Sequence, residues 1–195
     1  MTRFDARYYE RFYGDADGVH DPAQIAHLAT AVHELCSWWG TAPETVLDVG
    51  AGVGMWRDWY RRTHPTVHVL SVDVSPYACE RWGHELRDIA TWAPAEPHDL
   101  VICHGVVHYL DDLAAEAAID HLGAATSVVM YLELPTAHDL AEVVDPDRTD
   151  MAVHHRSGEW YRSRLARHFR QVGAGLWVKH GTVPMFELEA ATGSG

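Results

Sequence analysis

The residues best suited to chemistry fall into two groups. The first is Val46-Leu47-Asp48-Val49-Gly50-Ala51-Gly52-Val53-Gly54, an apolar run that ends in three alternating glycines. Glycines at this spacing adopt backbone angles that side chains oppose, and they let a ligand approach the main chain closely. If a helix follows, its positive N-terminus faces that ligand. Further on, Val67–Val72 is rich in β-branched residues and ends at Asp73. A carboxylate at the end of such a strand can accept both hydroxyls of a ribose. The second group is a scatter of titratable side chains in the later half: His108, Glu133, His138, Asp139, His154 and His155. Histidine and carboxylate are the usual groups for removing a proton from a reacting hydroxyl.

Two ligand classes use a glycine loop with a distant ribose carboxylate: dinucleotides and S-adenosylmethionine. Dinucleotide loops favour Gly-x-Gly-x-x-Gly, which leaves room for a pyrophosphate. Here Met55 stands where the third glycine of that pattern would fall. Asp48 adds a negative charge beside the loop, which suits an ammonium or sulfonium ligand and repels a pyrophosphate.

The elements that must position these groups alternate in type. Asp21 as N-cap, Pro22 as first helical residue and Gln24 as capping-box partner open a helix that runs to about Gly40. Then follow a strand over Thr45–Val49, a helix over Val53–Thr63 and a strand over Val67–Val72. Ser75-Pro76 starts a helix to about Gly83, and Glu85–Asp88 makes a short third strand. Leu100–His104 is the fourth strand, Asp111–Leu122 a helix and Ser127–Glu133 the fifth strand. A polar stretch, Pro135–Arg156, separates these from a last helix, Ser157–Phe169. The spacing then predicts two closing strands, Gln171–Val178 and Val183–Glu189, with Pro184 at a strand start or edge. Strands alternating with helices imply a parallel sheet covered on both faces. The expected fold is α/β, a Rossmann-like doubly wound sheet of seven strands with the last one antiparallel.

At 195 residues the chain fits one domain, taken here as 1–191 with 192–195 as a flexible tail. Fifteen Lys and Arg face 28 Asp and Glu, for a formal net charge of -13. That balance argues against nucleic acid and anionic membrane surfaces as partners. Arg162, Arg164, Arg167 and Arg170 read as one solvated helix face. Three separated cysteines, Cys36, Cys79 and Cys103, sit in apolar contexts and read as reduced thiols. With no apolar run long enough to span a bilayer, a soluble cytoplasmic protein is expected, as a monomer or homodimer.

Over nearly its whole length the chain resembles the class I S-adenosylmethionine-dependent methyltransferases. Val46–Gly54 is similar to their first motif, Val72-Asp73 to the acidic end of their second strand, and Asp99–Leu110 to their fourth strand and following loop. The resemblance implies the strand order 3-2-1-4-5-7-6 and S-adenosylmethionine as cofactor. It places Gly50 and Gly52 against that cofactor, Asp48 near its methionyl end, Asp73 on the ribose, and Asp88 with Ile89 at the adenine. His104 and Gly105 would pass beneath the methionine portion, with Ala51, Val74 and Tyr13 completing the set; Trp56 either flanks the cofactor or packs in the core. Phe4, Tyr8, Tyr9, Phe12 and Tyr13 resemble a lid, within an N-terminal segment 1–20.

For the methyl acceptor, the chain has Cys103-His104-Gly105-Val106 where amino-group methylases of nucleic acids and proteins carry an Asp/Asn-Pro-Pro-Tyr type motif. His104 also stands where metal-dependent catechol methylases place an aspartate. A metal is therefore not demanded, and a Mg site built from later Asp, Glu and His residues stays open. An alcohol acceptor needs a base; the favoured candidates are His154 and His155, then His108, with Glu133 at the end of the fifth strand. Tyr109, Trp92, Trp160 and Tyr161 near the expected mouth suit a ring-shaped hydroxylated acceptor such as a sugar. The leading expectation is thus O-methylation of a small molecule, a saccharide first. N- or S-methylation of a small metabolite, a non-catalytic binding module and a nicotinamide-dependent oxidoreductase are the alternatives.

Overall fold

A computed structural model of the chain describes residues 3–14 and 21–190. Expectations for the turn at 15–18, the rest of the segment 15–20 and the tail 192–195 lie outside those residues. The elements are α1 (Ala6–Tyr13), α2 (Pro22–Trp38), β1 (Thr45–Val49), α3 (Met55–Thr63), β2 (His68–Asp73), α4 (Pro76–Trp82) and β3 (Glu85–Leu86). They continue with β4 (His98–His104), a 3-10 turn (Val107–Tyr109), α5 (Asp112–Ala125), β5 (Thr126–Glu133), α6 (Ala137–Glu142), α7 (Gly158–Leu165), β6 (Phe169–Gly173) and β7 (Leu176–Lys179). The strands form one sheet in the order β3-β2-β1-β4-β5-β7-β6. Strands β1 to β5 pair in parallel, whereas β7 runs antiparallel to both β5 and β6.

Pleat alternation builds a core on each side of this sheet. Leu47, Val49, Val101, Cys103, Met130 and Leu132 face one way, onto Ile119 and Leu122 of α5 and Leu165 of α7. Val46, Leu100, Ile102, Val129 and Tyr131 face the other, onto Ala29, Val32 and Cys36 of α2 and Trp56, Trp59 and Tyr60 of α3. The end of the sheet opposite the glycines is pinned by Asp99, whose Oδ2 accepts bonds from the Glu44 and Thr45 backbone N–H groups and from the Thr45 hydroxyl.

Helix starts follow the sequence signals. Asp21, Ser75, Asp111 and Ser157 cap α2, α4, α5 and α7 through their side chains. Asp21 caps by accepting from Ala23 N.

The closing hairpin lies earlier than its periodicity predicts. Gln171–Val178 is not one strand, because Gly173, Ala174 and Gly175 all take left-handed angles (φ 114°, 48° and 77°) and fold the chain back within it. Val183–Glu189 is not a strand; Phe186 and Leu188 there are exposed. The 3-10 turn after β4 and helix α6 went unread. Helix α6 sits inside the polar stretch and opens on a capping box between Thr136 and Asp139. The last helix ends at Leu165, so Arg170 stands on β6 and the expected four-arginine helix face is broken. The arginines on and just beyond α7 pair with acids instead, Arg164 with Glu116 at 2.6 Å and Arg167 with Asp120 at 2.9 Å.

Candidate active site

The carboxyl ends of β1, β2, β4 and β5 converge on one rim, where an open α/β sheet takes its ligand. The glycine loop there is held from both sides. Gly50 N and Ala51 N donate to Val72 O at 2.8 and 3.0 Å, and Gly52 N donates to Asp73 Oδ2 at 2.9 Å. The other Asp73 oxygen accepts from Ser75 N at 2.8 Å. Gly50, Gly52 and Gly54 all have positive φ. A Cβ on Gly50 would meet Val106 Cγ2 at 2.3 Å, so this position needs glycine for space as well as for angle.

His84 props the loop from beneath. Arg57 can only donate to His84 Nδ1, at 3.2 Å, so the ring carries its proton on Nε2 and donates it to Gly52 O at 2.9 Å. Burial pulls the His84 imidazole below its ordinary value, consistent with that neutral form.

Two cavities open on this rim and share a wall. The first, about 200 Å³, is lined by Gly50, Gly52, Asp73, Val74, Asp88 and Ile89, with Tyr8, Tyr9 and Tyr13 of α1 above and His104-Gly105 at one end. The second, about 330 Å³, is lined by His108, Glu133, Asp139 and Asp150. Tyr8, Tyr13, His104, Gly105 and Tyr109 belong to both. A small recess of about 40 Å³ behind the loop reaches Asp48, Ala51, Trp56, Tyr13 and His104. Helix α1 is tied across the junction by the Tyr8–Tyr109 hydroxyl pair at 2.9 Å, by Ser75 Oγ donating to Phe4 O at 2.6 Å and by Tyr9 stacked on Tyr77.

A family model for methyltransferase domains matches residues 22–180. The chain belongs to this family. Among solved structures, the chain is similar to the plantazolicin methyltransferase BpumL in complex with SAH: 12% identity, 75% of this chain, 63% of that one, TM-score 0.56. It is also similar to an S-adenosylmethionine-dependent methyltransferase from Clostridium acetobutylicum, at 14% identity over 83% and 84% of the two chains, TM-score 0.60. A third is the N-methyltransferase NodS from Bradyrhizobium japonicum, at 16% identity over 80% and 95%, TM-score 0.52. At these identities the likeness is one of fold, and it agrees with the class I strand order. The chain spans less than two thirds of the length of BpumL. No curated protein matches it by sequence.

The expected cofactor residues gather around two adjoining spaces. Gly50, Gly52, Asp73, Val74, Asp88, Ile89, His104, Gly105 and Tyr13 line the first cavity, while Asp48 and Ala51 sit in the recess behind it. Asp48 is buried and its Oδ2 has no hydrogen-bond partner among the described residues. Burial pushes its carboxyl up to about 7, against the opposing pull of Arg57.

The expected bases divide. Glu133 and His108 line the second cavity. Burial drops the His108 imidazole to about 4, which keeps it neutral near pH 7. His154 and His155 are exposed and line neither cavity; His154 N is tied to His108 O, and the neighbouring Arg156 takes the interior position instead. The expected aromatic mouth is likewise corrected. Tyr109 alone of the four rings reaches the cavities, because Trp160 stacks under the Arg164 guanidinium, Tyr161 is core and Trp92 lies against Arg87.

The sequence reading missed a constellation at the shared wall. Trp56 is core and its Nε1–H donates to His104 Nδ1 at 3.2 Å. His104 Nε2 therefore carries the ring proton and faces Glu133 Oε1 at 3.6 Å. The Tyr131 hydroxyl donates to the other Glu133 oxygen. These residues come from α3, β4 and β5, and only the β1-β4-β5 order brings them together.

Proposed function

We propose that the protein is an S-adenosylmethionine-dependent methyltransferase acting on a hydroxyl of a small polar molecule, with Glu133 as the base. The observation that carries this is the shared wall: two cavities meet at His104-Gly105, and a carboxylate that accepts the Tyr131 hydroxyl and faces the His104 ring at 3.6 Å stands on the acceptor side.

The residues present fit the cofactor. Gly50 leaves main chain bare where a side chain would collide, and Asp48 Oδ2 is an orphaned buried acceptor behind the loop. Asp73 keeps spare lone pairs toward the first cavity for two ribose hydroxyls, with Asp88 and Ile89 at the adenine end. Gly50, Ala51 and Gly52 would cradle the methionyl portion, and Asp48 would supply the charge that complements its ammonium or sulfonium. When bound, S-adenosylmethionine would supply an electrophilic methyl group, its sulfur–methyl bond breaking as S-adenosylhomocysteine leaves.

The chain itself contributes orientation, dryness and a proton acceptor. Tyr8, Tyr13 and Tyr109 cover the junction and exclude water. Glu133 would take the proton of the acceptor hydroxyl as the new bond to oxygen forms, its direction set by the Tyr131 hydroxyl on one of its oxygens. Tyrosine hydroxyls and carboxylates around the second cavity support a polyhydroxylated acceptor such as a sugar. Three free cysteines, two of them buried, support a reducing cytoplasmic setting.

One observation favours a second reading. Glu133 and Asp139 line the acceptor cavity beside an Asp150 already paired with Arg3, and among the described residues no Lys or Arg lines it, which suits an amine-bearing acceptor and N-methylation. A panel of hydroxylated and amino compounds, scored by S-adenosylhomocysteine release, separates the two. Turnover of alcohols that is lost in Glu133→Gln supports the first reading. Turnover confined to amines and indifferent to Glu133→Gln overturns it.

A further inference from the structure

On the far side of the glycine loop from both cavities, α2 and the end of α3 bring three metal-ligating groups together. His33 and Glu34 stand on α2, and His64 is the residue that ends α3. One ligand atom from each lies within 4.8 Å of the other two. The imidazole rings of His33 and His64 are 3.8 Å apart between centroids, in the lee of Trp59 and Tyr60. None of the three residues lines a cavity of the active site.

Two observations mark this as more than a chance cluster. His33 is 7% exposed, and its buried Nδ1 has no hydrogen-bond partner among the described residues, which is costly for a ring nitrogen unless something fills the place. The protonation of His64 is also fixed by its neighbour. The Thr63 hydroxyl has a single proton and donates it to Trp59 O at 2.8 Å. Its contact of 2.9 Å with His64 Nδ1 must then be an accepted bond from Nδ1–H. That leaves the lone pair on Nε2. A ring nitrogen held by an oxygen so that the opposite nitrogen is free to coordinate is the arrangement that orients metal-ligating histidines.

We propose that His33, Glu34 and His64 bind a divalent transition-metal ion, with Zn²⁺ the best chemical match. Two imidazoles and one carboxylate are ligands for Zn²⁺ rather than for Mg²⁺ or Ca²⁺, which prefer all-oxygen sets. Ligand atoms around tetrahedral Zn²⁺ sit about 3.3 Å apart for bonds near 2.05 Å, so rotamer adjustment of the exposed Glu34, with small shifts of the two rings, closes the site. The fourth position falls to water. Such an ion would clamp α2 to α3 and stiffen the helix pair behind the glycine loop. This site does not depend on the reading of the active site.

The test is titration of the metal-free protein with Zn²⁺ by calorimetry and with Co²⁺ by visible absorption, alongside thermal unfolding. The expected result is one ion per chain, with the absorption of low-symmetry four-coordinate Co²⁺. A Zn²⁺ excess of about 100-fold over Kd should raise Tm by about 5–10 °C, reversed by chelator. His64→Gln and Glu34→Gln lie outside the core and keep the fold, which their unchanged Tm without metal will verify. Either should weaken binding by at least the roughly 10–100-fold seen when a lesser, outer metal partner is lost. Surface histidines are the rival sink. Binding that survives His64→Gln but disappears in a His154→Ala, His155→Ala double variant, or no stoichiometric binding at all, overturns the proposal.

Discussion

Asp48 couples stability to ligand binding, and Asp48→Asn separates the two. Its carboxyl is fully enclosed between β1 and the helices behind it, with one oxygen unpartnered, and burial lifts it from 3.8 to about 7. An acid whose folded value is raised costs nothing while both states are protonated. The cost begins as pH climbs past the unfolded value near 4 and is complete above the folded value near 7. At about 1.4 kcal/mol per pH unit, the rise corresponds to roughly 4 kcal/mol of stability forgone at pH 8. Asparagine removes the charge but leaves a buried amide N–H₂ to satisfy, at about 1–3 kcal/mol. The variant should therefore match or fall below the wild type at pH 4.5 and exceed it by about 1–3 kcal/mol at pH 8. Urea unfolding at the two pH values reads this directly. Affinity for S-adenosylhomocysteine, measured by calorimetry, should fall in the same variant, because the charge that complements the ligand's amino group is gone. A stability difference that does not grow between pH 4.5 and 8 would refute the burial argument; gained stability with undiminished affinity would refute the role beside the loop.

Three further outcomes follow from the geometry. Glu133→Gln should lower kcat toward an alcohol acceptor by about 10²–10⁴ while leaving S-adenosylhomocysteine affinity within a factor of about two, in paired kinetic and binding assays. Gly50→Ala puts a Cβ into Val106 at a φ of 67° and should cost about 1–3 kcal/mol in thermal unfolding, with ligand binding lost. Tyr8→Phe removes the hydroxyl bond to Tyr109 that holds α1 across the junction. It should weaken S-adenosylhomocysteine roughly 2–10-fold by calorimetry, the worth of one net hydrogen bond.

The cofactor half of the site was legible because its signals are local. A strand, three spaced glycines and a carboxylate at the end of the next strand carry their geometry in their spacing, and the structure brings Gly50, Gly52 and Asp73 into one cavity. The acceptor half was not. The Trp56–His104–Glu133 alignment joins residues 48 and 29 positions apart, which become neighbours only through strand order. His154 and His155 looked well placed along the chain, but the side chains that turn inward there are those of Arg156 and Tyr161. The hairpin slipped for a related reason. Val172 to Val178 alternates plausibly as a strand, yet Gly173-Ala174-Gly175 is the stronger signal, since three consecutive left-handed residues can only be a turn. Helix α6 was missed although Thr136 and Asp139 carry a capping box, because six residues give too short a period to read.

The central claim is that the loop from Asp48 to Gly54 and the carboxylate of Asp73 hold S-adenosylmethionine. Calorimetric titration with S-adenosylhomocysteine, set beside NAD, tests it most directly. The account predicts one S-adenosylhomocysteine site per chain, abolished by Asp73→Ala, and no detectable heat with NAD. Tight NAD binding, or a well-folded protein that ignores S-adenosylhomocysteine, would contradict it.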